Sequence, residues 1–279
     1  MADTHITTLS NGHEIAWVEW GAAASGPVFA FHGTPGSGTE MVLGWSSPPA
    51  RMLCPDRPGY GRSPSQPRRV LSDWADDVAR LADHLGVGSF SVLGVSGGAS
   101  HALACAVFLR DRVKSTAVVS GAVPLPATEE PDSRWSPRAK IRSIRPRANA
   151  ELQVFVSRRR PKRVLKIMSK QGSATDARTL ERNEVRDVFT CDARSASRTT
   201  GRSIAQDLRI DASIWGLELA SISTPVHIWH GSEDRTDPID RARLLAGAIP
   251  TSIFHELSGE GRLIIFDHLV EIVEALDLT

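Results

Sequence analysis

The sequence predicts an α/β fold: a mostly parallel sheet with helices on both faces and a helical segment inserted into it. Three observations predict this. Short apolar runs alternate with helix-periodic stretches along most of the chain, the pattern of strands joined by crossover helices. A Gly-x-Ser-x-Gly stretch, "GVSGG" at 94–98, falls between a strand-like run and a helix-like one. Residues 124–218 then break the alternation with helical and loop-like sequence that has almost no strand signal. The expected organisation is a core of residues 1–123 and 219–279 with 124–218 folded over it as a cap, a size that suits 279 residues.

The elements follow in order. "ITTL", Asn11-Gly12 and "EIAWVEW" read as two strands around a tight turn, because Asn-Gly tolerates positive φ. "PVFAF" (27–31) is apolar throughout, as a strand buried on both faces requires, and "ARMLC" (50–54) is a weaker strand ending before Asp56. Residues 71–85 form the clearest helix. Leu71, Trp74, Ala75, Val78, Leu81, Ala82 and Leu85 repeat at helical spacing, Ser72 or Asp73 can cap the start, and Gly86 can close the end. "SFSVLGV" (89–95) is a strand, "SGGASHALACAVFL" opens a helix, and "STAVVSG" is a strand. After the insertion, "TPVHIWHG" and "TSIFHEL" are strands. A helix over 264–277 sets Ile265, Leu269, Ile272, Val273 and Leu276 on one face.

Composition excludes several classes. The chain is 41% hydrophobic and 23% charged with net charge +1, ordinary for a soluble globular protein. Cys54, Cys105 and Cys191 are too few and too scattered for a disulfide framework or a zinc site, so reduced thiols in the cytoplasm are expected. The N-terminus lacks the basic and apolar regions of a signal peptide, and no run approaches the roughly 18 apolar residues of a membrane span. Residues 131–163 hold eleven Lys/Arg against Asp132 and Glu151, a local balance of +9. Solvated helix faces explain such a stretch, as does a docking surface for an anionic substrate or an acidic protein partner. Nucleic acid is disfavoured, because no nucleic-acid-binding motif or aromatic interleaving accompanies the charge. No cofactor is implied: there is no metal-ligand cluster and no dinucleotide-type glycine pattern after the first strand.

The chemistry concentrates at two motifs. In "GVSGG" the glycines permit a tight strained turn that lifts the Ser96 hydroxyl off the carboxyl edge of the sheet. The helix behind it points its N-terminus, and so its backbone N–H groups, at developing negative charge. "FHGTPGS", directly after the "PVFAF" strand, can present the Thr34 N–H opposite that of Gly97, giving two oxyanion donors.

"HGTPGS", "DRPGYGRS" (56–63), "GVSGG" and "WHGSED" (229–234) occur in this order and at fitting distances. Together they resemble the α/β-hydrolase fold superfamily, the short-capped esterase and peptidase-like members in particular, over nearly the whole chain. The resemblance implies an eight-stranded, mostly parallel sheet with a helical cap after the sixth strand. It also implies Ser96 as nucleophile, Thr34 and Gly97 as oxyanion donors, and Asp234 as the acid. Asp234 is preferred to its neighbours Glu233 and Asp237 because members place the acid three residues after the glycine of "HG".

The family's third member is a histidine in the loop after the eighth strand. Here "SGEGR" sets Arg262 at that place. Guanidinium has no acceptor and stays protonated, so it cannot take the serine proton. It can pair with a carboxylate, and Asp234 is the one expected within reach. His268 reads as a surface residue of the terminal helix, His255 as structural, His32 as holding the oxyanion loop, and His84 as part of a surface helix. His101, five residues after Ser96, could lie under the cap as a substitute base. The reading is an enzyme acting on an acyl or carbonyl group of a small molecule, its substrate anionic or carrier-protein-bound, with weak ordinary ester turnover. Lyase, cyclase or acyl-transfer chemistry, or ligand binding without turnover, are the alternatives.

Overall fold

A computed structural model of the chain describes residues 4–21, 26–42, 50–121, 159–195, 201–211 and 216–276. The basic stretch read at 131–163 lies outside these apart from its last five residues, as does much of the inserted segment.

The strands are β1 (Thr4–Thr8), β2 (Glu14–Trp20), β3 (Pro27–Phe31), β4 (Arg51–Pro55), β5 (Phe90–Val95), β6 (Val113–Val119), β7 (Val226–Gly231) and β8 (Ser252–Leu257). They form one eight-stranded sheet in the order β1-β2-β4-β3-β5-β6-β7-β8. The β1/β2 and β2/β4 pairs are antiparallel, and every pair from β4/β3 onward is parallel. The β1–β2 connection is wider than a two-residue turn. Thr8 pairs with Glu14, Leu9 N–H donates to His13 O at 2.7 Å, and Gly12 takes φ +83° inside that loop.

Helices cover both faces. On one face α1 (Leu71–His84), α2 (Ala99–Phe108) and α7 (Ile239–Ala248) bury Trp74, Val78, Leu81, Leu103 and Leu245 against Phe29, Phe31, Val92 and Ile228. On the other, α8 (Ile265–Glu274) buries Ile265, Leu269, Ile272 and Val273 against Val28, Leu93, Val119 and Trp229, with Leu276 just beyond its end. This two-sided cover is why β3 is apolar at every position.

The start of α1 decides between the two capping candidates in favour of Asp73. Val70 is its N-cap residue, and Asp73 reaches back to accept from the Val70 N–H at 2.9 Å, whereas Ser72 is exposed. At the other end Gly86 has φ +66° and Val87 N–H returns to Ala82 O at 2.8 Å, the six-to-one bond that closes a helix.

Between β6 and β7 the described residues hold four α-helices and no strand: α3 (Pro161–Gln171), α4 (Ala174–Thr179), α5 (Asn183–Ser195) and α6 (Gly201–Asp211). Leu165, Leu180, Val185 and Val188 join the α8-side core, and Ile204 and Ala205 of α6 pack on Tyr60. No helix among the described residues is long and apolar enough to cross a membrane.

Candidate active site

The site lies at the carboxyl ends of the parallel strands, where each connecting loop emerges beside its neighbours. Ser96 follows β5 and begins a short 3-10 turn, Ser96–Gly98, that leads into α2. Its φ is +54°, a left-handed conformation that costs a non-glycine residue roughly 1–2 kcal/mol. The surroundings impose it. A Cβ on Gly98 would stand 2.2 Å from Phe31 O, and one on Gly97 2.2 Å from Thr34 Oγ1. Close packing of the turn against the end of β3 and the loop after it therefore leaves no room for side chains at 97 and 98.

That loop, His32–Ser37, lies over Ser96. The Thr34 backbone N is 3.3 Å from the position a Gly97 Cβ would take, and the corresponding point on Gly33 is 3.8 Å from Ser96 Oγ. His32 is fully buried. Its Nδ1–H donates to Gly33 O at 2.9 Å and its Nε2 accepts the Arg57 N–H at 3.0 Å, which fixes a neutral tautomer. Burial, then the neighbouring Arg57 charge, holds its pKa well below the ordinary imidazole value. Arg57 Nη2 bonds Gly33 O and Thr34 Oγ1, each at 2.7 Å. Asp56 closes the back of the loop, accepting from Gly38 N–H at 2.7 Å and from Arg62 N–H at 2.8 Å. Burial pushes its pKa up to about 6 in spite of these bonds.

Asp234 follows β7 and is buried. Its Oδ1 accepts from Thr236 N–H at 2.7 Å and Asp237 N–H at 3.1 Å, while Oδ2 has no hydrogen-bond partner. Burial raises its pKa, and the Arg262 charge opposes that rise. His230, four residues earlier, is 3.7 Å from Oδ2 through Nε2 and donates from that atom to Asp237 O at 2.8 Å. Sequence reasoning did not single out His230. Its place at the end of β7, inside "WHG", was the available signal.

Arg262 lies in the loop after β8, bound to the loop after β7 by Glu233 N–H to Glu260 O at 2.8 Å and Gly259 N–H to Ser232 Oγ at 2.9 Å. Its Nη2 donates to Ser96 Oγ. The ion pair expected with Asp234 forms instead with Asp237, Oδ2 of which is 4.0 Å from Nη1. Asp234 commits its Oδ1 to the Thr236 and Asp237 N–H groups of its own turn.

The remaining histidines stand apart from Ser96 Oγ. His101 is buried behind the elbow, with Nδ1 within 3.1 Å of Gly97 O and of Ser100 Oγ and its ring edge-on to Trp74. Burial and the charges of Arg57 and Arg69 keep it neutral. His255 stacks on Trp229 at 3.8 Å, and His268 bonds Glu271 at 3.0 Å on α8. No cluster of three metal-ligating side chains exists among the described residues.

A serine on a strained turn at the carboxyl edge of a mostly parallel sheet, beside the loop after β3, defines a class. A model of the alpha/beta hydrolase fold family matches residues 26–269, and the chain belongs to that family. It is 29% identical over 136 residues to a bifunctional esterase/perhydrolase of Acinetobacter calcoaceticus, a match covering 47% of this chain and 49% of that protein. It is 34% identical over 113 residues to a proline iminopeptidase of Neisseria gonorrhoeae, covering 38% and 36%. The matched region is thus about half the length of the first relative and about a third of the second. Among solved structures, a thermophilic esterase from Thermogutta terrifontis superposes with TM-score 0.69 at 22% identity over 98% of this chain and 96% of that one. A bromoperoxidase from Bacillus anthracis gives 0.73 at 19% identity, with 98% of each chain covered. At such identities the likeness is one of fold.

Proposed function

We propose that this chain is an enzyme of the α/β-hydrolase fold acting on the acyl or carbonyl group of a small molecule. In this reading Ser96 is the reacting side chain, the Thr34 and Gly97 N–H groups are oxyanion donors, and Arg262 occupies the place of the histidine base. Asp234 is the acid member left without its partner. The helices of 124–218 form the cap over the core of 1–123 and 219–279, and the protein works in the cytoplasm.

One observation carries the reading: the hydrogen bond from Arg262 Nη2 to Ser96 Oγ. A guanidinium donates but does not accept, so the serine keeps its proton. In a Ser-His-Asp enzyme, loss of the base costs roughly 10⁶ in kcat, and about 10³–10⁴ over water survives from the oxyanion site and binding. Ordinary ester hydrolysis is therefore slow. What the fixed cation favours is negative charge beside Ser96, on a substrate carboxylate or on an enolate or alkoxide formed during reaction. That suits elimination, cyclisation or acyl transfer on an anionic or carrier-bound substrate, which the basic stretch at 131–163 would help recruit.

The same hydrogen bond supports a second reading, a non-catalytic ligand-binding or regulatory protein that keeps the pocket without turnover. A fluorophosphonate probe separates the two. Slow covalent labelling that maps to Ser96 and vanishes in Ser96→Ala supports the enzyme. No labelling over many hours, in a folded protein, supports the binder.

A further inference from the structure

Arg57 of the loop after β4 and Arg69, just before α1, are buried against the β6–β7 helices. Both donate to one carboxylate, Asp207 of α6: Arg57 through Nη1 to Oδ2, Arg69 through Nη2 to Oδ1. The side chains of Asp207 and Arg57 are fully buried and that of Arg69 is 2% exposed. Among the described residues Asp207 is the one carboxylate within ion-pair distance of either arginine. Breaking such a buried group by removing one partner leaves an uncompensated charge and is strongly unfavourable.

The two arms do different things. Arg69 ends at Asp207. Arg57 continues through its other amino group, Nη2, to Gly33 O and Thr34 Oγ1. Gly33 O also accepts the His32 Nδ1–H. The Gly33–Thr34 peptide is trans, so its C=O and N–H point in opposite directions. Two donors holding the carbonyl therefore fix the direction of the Thr34 N–H. One of those donors, Arg57, is oriented by Asp207.

We propose that Asp207 is a positioning residue for the oxyanion site: through Arg57 it sets the plane of the Gly33–Thr34 peptide, so that docking of α6 and the aim of the Thr34 N–H are one event. This rests on the reading of Thr34 and Gly97 as oxyanion donors. Asp207 lies 150 residues from Arg57 in the sequence.

The test compares Asp207→Asn with Arg69→Gln, since both disturb the buried group but only the first loosens the arm that reaches Gly33. Hydrogen exchange followed by mass spectrometry reads a peptide spanning residues 32–40, and ester turnover is measured with both substitutions placed in an Arg262→His parent. Asp207→Asn is expected to speed exchange in 32–40 at least tenfold. It should also lower kcat about tenfold or more with KM within about threefold. Arg69→Gln should lower the melting temperature and leave exchange at 32–40 and kcat within about twofold. Equal loosening of the loop by both variants, or an unchanged loop in Asp207→Asn, would overturn the proposal. Should Asp207→Asn fail to fold, Arg57→Met leaves Asp207 paired with Arg69 and must loosen the same peptide; an unchanged loop there overturns the proposal equally. An Arg262→His parent without turnover would count against the Ser96 reading alone, because the exchange comparison does not depend on turnover.

Discussion

Arg262 donates a hydrogen bond to the hydroxyl of Ser96 across 166 residues of sequence, and Ser96 itself holds a strained positive φ. A strained turn after β5 thus stands beside a side chain that cannot take the serine proton. The loop carrying Arg262 is tied to both the loop after β7 and α4, so the contact is built into the fold.

Asp234 is set as an acceptor with nothing to accept. Its Oδ2 is buried and without a hydrogen-bond partner while Oδ1 is saturated by two backbone N–H groups. An imidazole placed at 262 would find in it the carboxylate that orients its Nδ1–H. In an Arg262→His background, Asp234→Asn should therefore abolish most of the gained ester turnover, by up to about 10⁴-fold. In the native background the same substitution should change turnover little. Steady-state kinetics of the two pairs checks this.

Asp176 of α4 holds the Arg262 loop from the other side. It accepts from Leu263 N–H at 2.9 Å through Oδ1 and from Ser173 N–H at 2.9 Å through Oδ2. A Cβ on Gly261 would stand 2.3 Å from Ser173 Oγ, so the loop lies tight on this helix start. Asp176→Ala should cost about 1–3 kcal/mol in urea unfolding. It should also speed amide exchange over residues 258–264. Thr175→Val, which removes two exposed bonds, one to Gly259 O and one from Arg178 Nη2, should stay within about 0.5 kcal/mol of the parent.

Burial of Asp56 predicts a pH dependence of stability. Its folded pKa of about 6 exceeds the unfolded 3.8, so the folded state binds its proton more tightly. Its favourable contribution is complete below pH 3.8 and is lost as the pH rises through 6. Between pH 4 and 7 the native protein should lose up to about 3 kcal/mol of stability relative to Asp56→Asn. Urea unfolding of both at the two pH values measures the difference. A flat or opposite trend would show that the Gly38 and Arg62 N–H groups outweigh burial.

The parts readable in sequence are those set by short-range rules. The elbow was readable because its glycines meet backbone and side-chain atoms at distances no Cβ tolerates, and α1 because its apolar residues keep helical spacing. The start of α1 was less so: Asp73 caps by reaching backward to Val70, a geometry that spacing alone does not separate from a cap at Ser72. Residues joined through space were hidden. Nothing in the local sequence marks Asp207 as the shared partner of Arg57 and Arg69, which precede it by 150 and 138 residues. Likewise, no spacing in the sequence marks Asp237 rather than Asp234 as the carboxylate within ion-pair distance of Arg262. His101 was close to Ser96 in sequence, yet the helix turns it back toward Trp74.

The central claim is that Ser96 faces a cation where a base would stand. Turnover of a small activated ester by the native protein and by Arg262→His tests it most directly. The account predicts feeble turnover by the native chain and a gain of at least about 10³-fold on restoring the imidazole. Native turnover already equal to that of the histidine variant, and lost in Ser96→Ala, would contradict it, because some other group would then be taking the serine proton.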